Sequence, residues 1–164
     1  MFGNLSGKVA IVTGSGKGIG AGIARIFGMA GAKIMVATRT ASSGEETVGR
    51  IRDAGGVAEL KAVDIGDVAN VEAVVKSTVD RWGGVDILVH NAASFLGGPV
   101  DAYSEADLET VLSVNLKACF RFSKVCIPHF RKRGGGRLLF TSSVTGPRVA
   151  MPGSSYYAAS KAGI

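Results

Sequence analysis

The chain has 164 residues, enough for one domain with a buried core. Hydrophobic residues make up 46% and charged residues 20%, an ordinary globular balance, and no apolar run is long enough to span a bilayer. The formal net charge is +6, but its densest patch (Arg131, Lys132, Arg133 and Arg137) has no aromatic platform or groove-reading motif, so no nucleic-acid partner is expected.

Residues 1–8 lack the charged region and apolar stretch of a signal peptide, so a cytoplasmic, reducing setting is expected. Residues 8–13 are apolar and rich in β-branched side chains, then give way to glycines, which predicts a buried strand. A helix follows over 18–29, with Ile19, Ile23, Ile26 and Phe27 at helical spacing. Residues 33–37 form a second short strand. Residues 45–54 read as a helix closed by Gly55-Gly56, and 58–63 as a third strand. The helix over 68–82 gathers Val71, Val74, Val75 and Val79 on one side and stops at Gly83-Gly84.

Residues 85–90 are a fourth strand. Ser104 caps the next helix, with Asp107 as a weak capping-box partner. Its periodicity runs through Leu108, Leu112, Leu116, Phe120 and Val125 to about Phe130, interrupted by the polar Asn115. Residues 137–141 are a fifth strand, and a last helix starts near Ser155. Cys119 and Cys126, seven apart in a helix, place their Cα atoms roughly 10 Å apart, beyond disulfide reach. With no second Cys/His cluster, no metal is expected. Strands alternating with helices predict an α/β domain over 1–164: a doubly wound parallel sheet with helices on both faces.

The turn after the first strand reads Thr13-Gly14-Ser15-Gly16-Lys17-Gly18-Ile19-Gly20. Glycines at a strand-to-helix junction let backbone approach a pyrophosphate and aim the helix N-terminus at it. It is not the phosphate loop of nucleotidases, because Lys17 is followed by Gly18 rather than Ser or Thr. The second strand ends in Thr38 and Arg39, where an acidic residue would bind the ribose hydroxyl of NAD. A guanidinium instead suits a 2′-phosphate, with help from Lys17, Thr40 and Ser42, so NADP(H) is favoured over NAD(H). Tyr157 and Lys161, at i and i+4, share a helix face, where the ammonium can stabilise a phenolate. Ser143 lies fourteen positions before Tyr157.

On these motifs, with Asp64, Asn91-Ala92-Ala93 and Asn115 in family order, the chain resembles the short-chain dehydrogenases/reductases. The resemblance implies a Rossmann-like fold. It makes Tyr157 the general acid/base, and Lys161 the group that lowers its pKa and holds the nicotinamide ribose. It has Ser143 polarise the substrate oxygen and Asn115 support a relay water beside Lys161. Asp64 and Ile65 would meet the adenine; Asn91 and Ala92 would line the cofactor ribose, and Ala93 would set a methyl at the cofactor where the family's glycine allows its closest approach. The implied activity is NADP(H)-dependent interconversion of a ketone or 3-oxoacyl thioester and a secondary alcohol, as in 3-oxoacyl-carrier-protein reductases. The substrate would be free or borne on a carrier protein, and the enzyme a homodimer or homotetramer.

The fourth-strand motif departs from the family's Asn-Asn-Ala-Gly: here it is His90-Asn91-Ala92-Ala93. His90 is expected to cap a strand end rather than act as a base. Tyr156 lies about 140° from the face of Lys161, and Ser142 and Ser143 should point opposite ways if both lie in a strand. Lys124 and His129 read as surface or cap residues. Family members run to about 250 residues, so the resemblance also implies a C-terminally incomplete chain with the fifth strand as an exposed edge. The alternatives are a dinucleotide-binding module without catalysis and a nonfunctional truncated fragment.

Overall fold

In the computed structural model, which describes residues 3–149 and 151–164, the first apolar run forms β1 (Val9–Thr13), buried at all five positions. A strand covered on both faces must be apolar throughout rather than alternating, as Val-Ala-Ile-Val-Thr is. Then come α1 (Gly18–Met29), β2 (Lys33–Thr38), α2 (Ala41–Asp53), β3 (Val57–Ala62), α3 (Val68–Trp82) and β4 (Ile87–His90). A 3-10 turn (Val100–Ala102) leads to α4 (Glu105–Leu112), a π-helical turn (Ser113–Lys117), α5 (Ala118–Lys132), β5 (Arg137–Phe140) and α6 (Ser155–Gly163).

The sheet runs β3-β2-β1-β4-β5 with every pairing parallel. Parallel neighbours need crossovers, and the crossing helices cover both faces. One core packs Ile11, Met35 and Leu88 beneath Val71, Val74, Phe122 and Cys126 of α3 and α5. The other packs Val12, Ile34, Val36 and Val89 beneath Ala24, Val48 and Ile51 of α1 and α2. Strand order reverses between β1 and β4, so their carboxyl ends open a crevice at the switch point.

Several boundaries differ from expectation. Helix α2 starts at Ala41, not residue 45, because its polar first turn is closed by side chains. Ser43 Oγ donates to the Thr40 carbonyl and Thr47 Oγ1 to that of Ser43. The helix expected from Ser104 to Phe130 is broken by the π turn centred on Asn115, and it continues to Lys132. Strand β4 is shorter than 85–90. The carboxylate of buried Asp86, just before it, instead accepts from Val9 N at 2.8 Å and Arg133 Nε at 2.8 Å, with Lys8 Nζ at 3.9 Å. Arg133 of the basic patch is therefore committed to structure. Strand β5 ends at Phe140, leaving Ser142 and Ser143 beyond it, and among the described residues it pairs with β4 alone, as expected for an edge. Ser104 Oγ caps α4 by accepting from Asp107 N. Cys119 and Cys126 are free and buried. Among the described residues no helix is long and apolar enough to cross a membrane, and no group of three His, Cys, Asp or Glu side chains is placed to hold a metal.

Candidate functional site

The carboxyl ends of the strands open into one cleft of about 700 Å³, lined at one end by the glycine turn (Gly14, Gly16, Lys17, Gly18 and Ile19). Two glycines set how closely this turn packs. A Cβ on Gly20 would lie 2.3 Å from the Gly14 carbonyl oxygen. On Gly14, where φ is +63°, it would lie 2.7 Å from the Cα of Ala92. Gly20 thus lies behind the cleft and seats α1 against the turn. Ser15 also lies behind it. Its hydroxyl donates to the Val12 carbonyl at 2.6 Å and accepts from Ala37 N at 3.1 Å, tying the turn to β2. Lys17 precedes α1 with no side-chain cap, so the first backbone N–H groups of that helix stay free for a ligand.

Thr38 and Arg39 line the cleft at the end of β2, facing Asp64 and Ile65 after β3. Arg39 Nη1 lies 3.9 Å from Asp64 Oδ2, with both side chains mostly exposed. Such a pair is weak enough to give way to a bound anion. Asn91, Ala92 and Ala93 form the floor beyond β4.

Ser143, Tyr157 and Lys161 line the same cleft at its other end. Ser143 Oγ accepts from Thr145 N at 3.1 Å, which leaves its own proton free. The Tyr157 ring stacks on Phe95, centroids 4.8 Å apart and 24° between planes. Lys161 Nζ lies 5.7 Å from the Tyr157 ring centroid and donates to the Thr141 carbonyl at 2.6 Å. It is only 2% exposed, and burial lowers its pKa. Tyr156 points elsewhere, its Oη accepting from Ser104 N at 2.9 Å. Ser142 donates to the backbone carbonyl of Lys161.

Asn115 does not line the cleft. It is fully buried, and its Oδ1 accepts from Ser94 N at 2.7 Å. Its Nδ2 donates to the Ser94 carbonyl at 3.0 Å and to Ser160 Oγ at 2.9 Å. The side chain thus fastens the loop after β4 to the helix carrying Tyr157 and Lys161. Phe95, an exposed aromatic two residues after the fourth-strand motif, went unassigned in the sequence. His90, expected as a strand-end cap, is the last residue of β4 and is buried, with Nδ1 3.0 Å from Thr13 Oγ1. The arrangement sets a phenol, a free hydroxyl and a buried ammonium at one end of a cleft whose other end suits an anionic, extended ligand. Those groups can exchange a proton with the oxygen of a small molecule.

The family model for short chain dehydrogenase matches residues 8–164. An uncharacterized oxidoreductase of Thermotoga maritima is 38% identical over 162 residues, covering 98% of this chain and 63% of that protein. The 3-oxoacyl-(acyl-carrier-protein) reductase FabG of Vibrio cholerae is 35% identical over 161 residues, covering 98% and 64%. The chain therefore spans less than two thirds of the length of these curated relatives. The crystal structure of a metagenomic short-chain oxidoreductase in complex with NADP superposes with a TM-score of 0.91 at 34% identity, covering 97% of this chain and 72% of that one. A match over residues 8–164, with relatives of this identity along nearly the whole chain, makes the protein a member of the short-chain dehydrogenase family.

Proposed function

We propose that the chain is the cofactor-binding and proton-transferring part of an NADP(H)-dependent oxidoreductase. It would reduce a ketone or 3-oxoacyl thioester to a secondary alcohol, or run in reverse. The observation that carries this reading is that Ser143, Tyr157 and Lys161 share one cleft with the glycine turn and Arg39. The cleft fits a nicotinamide dinucleotide: backbone packs where no Cβ could stand, and the N-terminus of α1 opens onto it. Bound there, the cofactor supplies the hydride. Gly16, Lys17 and Gly18 would hold its pyrophosphate, Arg39 and Thr38 its 2′-phosphate, and Asp64 and Ile65 its adenine. NADP is what the metagenomic relative holds, and Arg39 is the feature of this chain that favours it over NAD.

Tyr157 passes its phenolic proton to the substrate oxygen as the carbonyl becomes an alcohol, and takes it back in the oxidative direction. Ser143, with its proton uncommitted, donates a hydrogen bond to the same oxygen. The buried ammonium of Lys161, 5.7 Å from the Tyr157 ring centroid, places a positive charge beside the phenol as it gives up its proton. Assembly as a homodimer or homotetramer belongs to the same proposal, with α5, whose Phe120 is 72% exposed, as the contact face. A panel of ketones and β-ketoesters with NADPH tests the reading. Tyr157→Phe is expected to lower turnover at least about 100-fold while NADPH affinity stays within a few-fold. Undiminished turnover overturns the assignment of Tyr157.

A second reading, a dinucleotide-binding module without catalysis, predicts saturable NADPH binding with no carbonyl reduced by any member of the panel.

A further inference from the structure

Thr13 and His90 are register partners on the adjacent strands β1 and β4, at the mouth of the switch-point crevice. Three polar atoms meet at the Thr13 hydroxyl. The backbone N–H groups of Asn91 and Ala92 both donate to Oγ1 at 3.1 Å, and His90 Nδ1 lies 3.0 Å away. A hydroxyl oxygen has two lone pairs and one proton. The two amides occupy both lone pairs, so the proton must point to Nδ1. That requires Nδ1 to be bare, and a neutral ring then carries its proton on Nε2. Protonating Nδ1 would set two donors against each other inside a buried site.

The surroundings enforce a neutral ring. His90 is 2% exposed, with the rings of buried Phe122 and half-buried Phe140 centred 6.1 and 6.5 Å away. Burial pushes its pKa down to about 4. The ammonium of Lys161 acts in the same sense, against the carbonyls of Asn115 and Val114. Among the described residues Nε2 has no partner within hydrogen-bonding geometry. The backbone of His90 continues the connection, its carbonyl accepting from Thr141 N while the Thr141 carbonyl accepts from Lys161 Nζ.

We infer that His90 is a positioning residue for the cofactor cradle: locked as the Nε2–H tautomer, it fixes the Thr13 hydroxyl so that Thr13 holds the amides of Asn91 and Ala92 against the glycine turn. The role rests on the cofactor reading above, since Ala92 both lines the cleft and packs on Gly14. Without an acceptor at residue 90, the Thr13 hydroxyl is free to rotate its proton toward the amides, and the segment that should meet the cofactor ribose loosens.

Two measurements test this on the chain itself. The first is nitrogen NMR of the imidazoles at neutral pH. The chain has two histidines, and His129→Gln assigns the signals. A bare Nδ1 and a protonated Nε2 on His90 are expected; a protonated Nδ1 overturns the proposal whatever the cofactor does. The second is NADPH titration. His90→Leu is expected to weaken binding about tenfold, the worth of one buried hydrogen bond. His90→Asn, whose Oδ1 restores an acceptor close to the site of Nδ1, should restore affinity to within about twofold. Thr13→Val should weaken binding similarly, and adding His90→Leu to it should cost little more. If His90→Leu binds NADPH normally, or the two losses simply add, the positioning role is wrong. Should His90→Leu fail to fold, the contrast between His90→Asn and His90→Gln, which displaces the acceptor, carries the same test. If the unaltered chain binds no NADPH, the cofactor reading falls and takes the positioning role with it, whereas a wrong tautomer sinks the inference alone.

Discussion

Arg39 sits at the lip of the cleft, 3.9 Å from Asp64 and largely in solvent. An exposed pair at that separation contributes little to folding, so the guanidinium is available to an incoming anion at small cost. A 2′-phosphate offers it charge-assisted, two-point hydrogen bonding that a ribose hydroxyl cannot. Reversing the charge should therefore act on cofactor choice and leave folding almost untouched. Arg39→Asp is expected to weaken NADPH at least tenfold and to strengthen NADH, because a carboxylate there repels the phosphate and accepts from the hydroxyl. Titration with both cofactors reads the ratio directly. An unchanged ratio removes Arg39 from the cofactor site and returns it to the solvated surface.

Among the elements, the π turn between α4 and α5 decides most about the site. Widening the helix by one residue at Ser113–Lys117 turns Asn115 inward, where it makes three hydrogen bonds to Ser94 and Ser160. Cys119 Sγ adds a bond to the Asn115 carbonyl at 3.3 Å. Asn115→Ala would leave both backbone groups of Ser94 without partners in a partly buried place, a loss of about 2 to 3 kcal/mol. For a chain of this size that is a fall in Tm of about 5 to 10 °C. Hydrogen exchange at the Ser94 amide should accelerate with it. An unshifted Tm, or a Ser94 amide as protected as before, contradicts this bracing role. None of it was legible as a helix break, because Leu108, Leu112, Leu116 and Phe120 keep a spacing of four straight across the turn. The strands, the glycine turn and the Tyr157–Lys161 pair were legible, since each is written in local spacing. The pairing of Thr13 with His90 and the burial of Asp86 were not. Both depend on the register between β1 and β4 and on Arg133 returning from α5, contacts between residues 47 to 77 positions apart. The first turn of α2 escaped for another reason: Ala-Ser-Ser-Gly has loop composition, and only its side-chain bonds to the backbone make it helical.

Across the whole molecule, the two edges of the sheet are managed differently. Strand β3 carries Glu59, paired with Arg81, and Lys61, charges that discourage another strand from docking. Strand β5 follows Arg137 with Leu138, Leu139 and Phe140. Leu138 and Phe140 pack against the core beneath α3 and α5, but Leu139 is 43% exposed beside a row of unpaired backbone groups. Beyond Arg137 this edge is apolar, a template for a second strand, so residues 1–164 by themselves are expected to self-associate through β5 as their concentration rises. Leu139→Lys should move the population toward monomer in sedimentation velocity while shifting Tm little, since Leu139 is 43% exposed and belongs to neither buried cluster. The edge lies close to the chemistry, because β5 runs directly into Ser142 and Ser143. Pairing that drags the strand also displaces the hydroxyl proposed to meet the substrate oxygen. If the substitution leaves the sedimentation profile unchanged at every concentration, the association face lies elsewhere, and Phe120 on α5 becomes the residue to charge next.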